Sequence, residues 1–322
     1  MRSTLNHILT FTTLLLLVVA TADGKEFRYD YQKIIETGPQ AELQLTCFGG
    51  SMEIVSSTDD RIIIDAVKKV KAVSMIEAEE VADHIEIKVK QSGSKVEVET
   101  IYHQIRDRSS SFWKKIFGVG GNDSFGDVDW SIQVPQGCKV NITNTSGKIL
   151  VSHTAGDVDI RSSTAEIELV GIEGEISVEN SAGSIFGELL FGSVTVRQAQ
   201  GQVGLRFVDG DIRVKTTTAD IFILQESGSV DLVSTTGHIT VQTNLDSTRD
   251  YFVETESGDI TMSIPETSSG NLRIRSRTGE MKIEVPVSIS SMSQREVQGA
   301  FGYGGAKIDL TSVSGDVKLA EF

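Results

Sequence analysis

The sequence is poor in the residues that carry most binding and catalytic chemistry. It has two cysteines and four prolines in 322 residues, only 6% aromatics, and 30 basic side chains against 45 acidic ones. Two cysteines cannot frame a disulfide-stapled scaffold. Cys47 and Cys138 instead fall in phase with Leu43 and Leu45, and with Val140 and Ile142, as small buried hydrophobes do. With so few prolines the polar stretches are not extended linkers. A net charge of −15 offers no basic field to release counterions, so no nucleic-acid partner is expected. His84, His103, His153 and His238 are scattered, His7 lies near the start, and no two share metal-ligand spacing. No metal, cofactor or enzymatic activity is therefore expected, since no nucleophile stands beside a base in any recognisable motif.

Long apolar runs are missing beyond the first residues. Arg2 precedes an apolar run over 14–20, and Ala20-Thr21-Ala22 offers the small residues a signal peptidase reads. Residues 1–22 are thus expected to be a secretory signal peptide cleaved after Ala22, leaving a secreted, periplasmic or cell-surface protein. The run is short and is followed by Asp23, Gly24, Lys25 and Glu26, so no membrane span is expected after cleavage. Export allows a disulfide between Cys47 and Cys138, but spacing alone does not establish its geometry.

What the chain does have is glycine, 30 residues of it, placed with a period. From Gly147 to Gly237 a slot recurs every nine residues, filled by Gly except at Ala165 and Ala219. Aliphatics follow two and four places after each slot: Val158 and Ile160, Ile176 and Val178, Val194 and Val196, Ile212 and Val214. Alternation at period two puts each pair on one face of a short strand. A fixed short period is the mark of a solenoid. The residue two before the slot alternates between Ile172, Leu190, Val208 and Ser163, Ser181, Ala199, Thr217. The true repeat is therefore about 18 residues, and the fold expected is all-β: a parallel β-solenoid (β-helix) with two short strands per coil. One rung cannot bury its aliphatics alone, so stability comes from stacking.

The same signal returns with looser spacing at Gly258, Gly270, Gly279 and Gly315. A single β-solenoid domain is expected over 23–322, with 23–142 as its N-terminal part and 143–322 as regular repeats and closing coils. Ser74-Met75-Ile76-Glu77 has capping-box spacing and predicts a short helix near 75–83. Residues 102–127 read as a loop, in which Trp113 and Phe117 are candidate contact residues.

The repeated Ser/Thr-x-Gly-Asp-Val/Ile pattern, the segment Ile132-Gln133-Val134-Pro135-Gln136-Gly137 and the closing Ser314-Gly315-Asp316-Val317 resemble the bacterial β-strand-repeat family that carries an adhesin label, a domain of unknown function. The resemblance covers nearly all of the chain after the signal segment. It implies a β-strand-repeat scaffold with a surface or envelope role and supplies no catalytic residues.

Acids follow many slots (Asp157, Glu166, Glu175, Asp211, Asp220, Asp259, Asp316), but the calcium β-roll needs two glycines per turn where this repeat has one. Pairs such as Asp157 with Asp159, or Glu166 with Glu168, would sit on one strand face. Their spacing of about 6.6–7 Å keeps open a second reading, a carbohydrate-active enzyme on a short β-helix. Outward positions on one strand series are polar, whereas the other carries Phe186, Phe222 and Leu224. Exposed apolar patches mark contact surfaces. This face is expected to bind an envelope protein, a glycan or a second copy, or to be covered by the 102–127 loop.

Overall fold

The computed structural model describes residues 18–21, 24–103 and 126–322. Trp113, Phe117, most of the 102–127 segment and most of the signal segment lie outside them. The chain divides into two compact units, residues 1–138 and 139–322.

In the second unit the nine-residue pattern becomes a parallel ladder. Val158 pairs with Ile176, Ile176 with Val194, Val194 with Ile212 and Ile212 with Val230, each step 18 positions. The second arm of each coil follows the same step through Ile167, Ile185, Val203, Ile221 and Ile239. Val158 and Ile160 on one arm, and Ile167 and Leu169 on the other, are at most 2% exposed. Burying each such side chain contributes roughly 1.5–3 kcal/mol against leaving it in water. The fold is a parallel β-solenoid. The two arms of a coil run together as one stretch, such as Val158–Glu173 or Ile176–Phe191, because ladder bonds persist through the corner. The inward phase shifts there, from Val158 and Ile160 to Ala165 and Ile167.

Gly187 stands where an inward aliphatic is expected. The side chains of Leu190 and Leu205 occupy its space, so the core stays filled without the missing side chain.

Polar residues three places before the slot form a buried column at this corner: Asn144, Asn180, Gln198, Thr216, Ser234, Thr255, Ser312 and Ser276. Asn180 Nδ2 donates to the Ala165 carbonyl of the preceding coil (3.0 Å) and to Ala182 O (2.8 Å). Gln198 Nε2 does the same with Gly183 O (2.6 Å) and Gln200 O (2.7 Å). Asn180 and Gln198 thus satisfy carbonyls that the bend removes from regular pairing, which would otherwise be costly to bury.

Past residue 243 the order of coils departs from the order of the chain. The coil built from Asp250–Ser257 and Ile260–Ile264 does not meet the next one, Gly270–Ser276 and Met281–Ile283. Instead Ala306–Ser314 and Val317–Glu321 lie between them, paired in parallel on both sides: Tyr251 with Ile308 and Ile308 with Leu272, Ile260 with Val317 and Val317 with Met281. On its far side Gly270–Ser276 meets Glu296–Phe301 antiparallel, and that strand meets Ser288–Met292.

The first unit is mixed in direction. Gly24–Glu36 and Arg61–Ala72 pair antiparallel, and Arg61–Ala72 pairs antiparallel with Gly126–Pro135. Glu42–Thr46 with Lys95–Tyr102, and Met52–Ser57 with Gly126–Pro135, are parallel. The alternation of residues 62–64 marks a strand but carries no information on its direction. The helix Met75–Asp83 opens on Ser74, whose side chain accepts from Glu77 N at 3.3 Å. It buries Ala78, Val81 and Ala82. Lys68 Nζ donates to Ala82 O near its end (3.0 Å), adding a donor to one of the last-turn carbonyls. Cys47 and Cys138 are buried thiols, each pushed up to about 12 by burial.

Candidate functional site

The outward apolar positions map onto the second arm of the solenoid. Phe186 pairs with Gly204, Gly204 with Phe222, and Phe222 with Thr240, giving one outward column. The next outward column holds Ser184, Gln202 and Asp220, with His238 on the following rung. Between them lies a slot of about 360 Å³ lined by Phe186, Gly204 and Phe222, with Gln202, Asp220 and His238 among its polar walls. Phe186 and Phe222 are two rungs apart, about 9.6 Å along the stack. Phe222 is 45% exposed and Phe186 half-buried.

Gly204 makes the slot. Its backbone is ordinary extended strand, so no turn demands glycine there. A Cβ added at Gly204 would sit 3.4 Å from Phe186 Cδ2, in ordinary contact. The residue is small where any strand former would fit, and the vacancy is the floor between two rings. Leu224 is not part of this slot. It lies one outward column along, opposite Arg206 and Gln242. The structure thus brings Phe186 and Phe222 together around Gly204 and leaves Leu224 beside them.

A second depression of about 470 Å³ runs over the glycine corner and shares Asp220 and His238 with the slot. Its walls are Thr218, Thr236 and Ser257 on one side and Asp220 and Asp259 on the other. Together the two form a surface with an aromatic end and a hydroxyl- and carboxylate-bearing end. Another groove of about 440 Å³ lies near Phe252, but its charges are engaged. Arg273 meets Glu296 at 2.6 Å, and Arg275 meets Asp309 at 3.1 Å.

The acids after the slots have a structural task. Asp157 accepts from Glu175 N (3.1 Å), Asp211 from Ser229 N (2.8 Å), Asp220 from His238 N (2.9 Å), Asp259 from Asp316 N (2.8 Å) and Asp316 from Glu280 N (2.8 Å). Each carboxylate staples its rung to the next. Three of the four acids that could have formed hydrolytic pairs are engaged: Asp157 with the Glu175 N–H, Asp159 with Arg161 at 2.9 Å and Glu168 with Lys148 at 3.4 Å. The Ser229 N–H, then its hydroxyl, Arg249 and Arg213, hold the Asp211 carboxyl below its ordinary 3.8 despite partial burial. A depressed folded pKa contributes stability that is present above 3.8 and lost as pH falls through the folded value. Asp211→Asn is therefore expected to cost less than about 1 kcal/mol near neutral pH, because solvent screens the exposed carboxylate. That cost should shrink to nothing in strong acid; urea titrations of both proteins across pH measure it.

A further exposed feature is a corner where four successive coils turn through a left-handed residue: His153, Gly171, Leu189 and Phe207, with φ between 54° and 64°. Leu189 is 46% exposed, and Arg206 lies 5.4 Å from the Phe207 ring centroid. No periodic signal announced this corner, because its side chains are unrelated from coil to coil.

The geometry defines a parallel β-solenoid with an aromatic slot on one outer face. The chain belongs to the Toastrack DUF4097 family, whose model matches residues 47–320. No curated protein matches the sequence. Solved structures similar to it include a candidate cell adhesion protein from Clostridium sporogenes, 9% identical over 92% of this chain and 100% of its own, with a TM-score of 0.29. A candidate adhesin from Bacteroides fragilis is 9% identical over 90% of this chain and 96% of its own, TM-score 0.36. A candidate lipid-binding protein from Parabacteroides distasonis has the same identity and coverage, TM-score 0.37.

Proposed function

We propose that this chain is a non-catalytic binding module that acts outside the cytoplasm, and that its ligand is a glycan seated over Gly204. The observation that carries this reading is the glycine floor between Phe186 and Phe222, a vacancy on an outer face that backbone geometry does not require. A sugar ring presents an apolar C–H face and a rim of hydroxyls. The aromatic rings suit the first, and Gln202, Asp220 and His238 suit the second. The acidic surface and the signal-like first 22 residues support a role in the envelope or beyond it. Mass measurement of the exported chain should find it beginning at Asp23.

The slot can be filled without touching the core. Gly204→Val adds a strand former at an extended position where a Cβ meets no backbone atom within 4 Å. Glycan-array binding is expected to fall by tenfold or more, about 1.4 kcal/mol, in Gly204→Val and Phe222→Ser, with melting unchanged. Undiminished binding by both variants would remove the slot from consideration. Turnover of a bound glycan, abolished by substituting Asp157 or Glu166, would instead establish the carbohydrate-active enzyme.

A further inference from the structure

We propose that the gap between the coil at 250–264 and the coil at 270–283 is a strand-insertion site that accepts the coil at 306–321 from a second copy of this chain, giving an exchanged dimer. The inference rests on the order of the rungs and is independent of the slot over Gly204.

The inserted coil is held by contacts that repeat identically on its two sides. Ser312 Oγ donates to Gly258 O (3.0 Å), and Ser276 Oγ donates to Gly315 O (2.9 Å). Asp316 N donates to Asp259, and Glu280 N donates to Asp316, both at 2.8 Å. A Cβ on Gly315 would meet Gly258 O, and one on Gly279 would meet Gly315 O. Each rung therefore offers the next the same carbonyl, the same carboxylate and the same space. The apolar columns agree: Tyr251, Ile308 and Leu272 on one arm, Met262, Leu319 and Ile283 on the other.

The neighbouring coils would also fit each other directly. Tyr251 precedes Leu272 by 21 positions, and Gly258 precedes Gly279 and Ile260 precedes Met281 by the same step, which also separates Val230 from Tyr251 and Ile239 from Ile260. A rung that follows in the chain normally stacks next, because closing the shorter loop costs less entropy. Here the coil at 270–283 is kept one place away, and the rung between them arrives from further along the chain. While the chain folds, the face at 250–264 is open to whichever coil at 306–321 reaches it. A coil from a second copy makes every bond described above. Residues 284–305 connect the outer and inserted coils; with Ser288–Met292 and Glu296–Phe301 released from their pairing, they would span about 70 Å fully extended, enough to reach another molecule. Exchange of this kind adds no new interface chemistry and is governed by concentration during folding.

Thr261 and Lys318 are outward register partners across one edge of the gap. The test uses full-length Thr261→Cys and Lys318→Cys chains, unfolded together, refolded in reductant and oxidised only after folding. Cys47 and Cys138, buried with thiols pushed up to about 12, stay out of the reaction. A covalent heterodimer is expected, its fraction roughly doubling with each doubling of chain concentration while it remains minor. Folded chains mixed without unfolding should give none. The Thr261→Cys/Lys318→Cys double variant, folded dilute, should close its disulfide within one chain. Monomeric products at every concentration, or failure of the double variant to close, would overturn the proposal.

Discussion

Replacing Leu310 with Asp is expected to release two coils rather than one. Leu310 is fully buried in the inserted coil, facing Val253 on one side and Ile274 on the other. A carboxylate there has no partner for its charge, and the cost should exceed about 4 kcal/mol at this end of the stack. Because Gly270–Ser276 is tied to the solenoid through Ala306–Ser314, its amides should lose protection with those of the inserted coil. The coils from Val158–Glu173 to Ile212–Ser227 should keep theirs, since stacked rungs depend on their neighbours. Hydrogen exchange resolved by peptide reads all three regions at once. Protection loss confined to 306–321 would show that 270–276 is held by other means.

A second large effect is expected at Gly201. Its φ is +130°, and a Cβ there would run into the carbonyl oxygen of Gly183 in the preceding coil. Gly201→Ala combines backbone strain with a steric conflict that no side-chain rotation relieves, and it should cost about 3–5 kcal/mol. The neighbouring slot in the same column is Ala219, whose φ is not left-handed. Ala219→Gly should therefore stay within about 1 kcal/mol of the parent protein. Urea unfolding of both variants measures the contrast. Equal midpoints for the two would mean that glycine in this column is not a steric requirement.

These two positions also show what could be read from the residues beforehand. The nine-residue slot and the column through Val158 and Ile176 were legible because burial follows period two within an arm and stacking repeats at a fixed step. Separating outward positions by series was enough to place Phe186 and Phe222 on one outer face. It did not find Gly204, because a missing side chain carries no pattern of its own; only its place between two rings reveals it. Asn180 and Gln198 carry no mark of burial in the sequence, yet both are buried and bonded to the coil before. Polarity reports the need for a hydrogen-bond partner, not whether that partner is water. The order of the last coils was beyond reach for a different reason. Gly258, Gly279 and Gly315 carry one repeated motif, and interchangeable rungs cannot declare their own sequence in space. Leu224, adjacent in pattern to Phe222, turned out to belong to the next column, where Arg206 stands beside it.

The strand Glu296–Phe301 runs antiparallel to Gly270–Ser276, although the ladder before it along that arm is parallel. Outside it, Ser288–Met292 carries a register shift between Ile289 and Ser291. A parallel stack can in principle grow without limit, each end templating another molecule into a filament. Reversing direction and then kinking the outermost strand spoils that template. On this arm the protein is built as an object of finite length, protected from polymerising by the last two strands laid across its end.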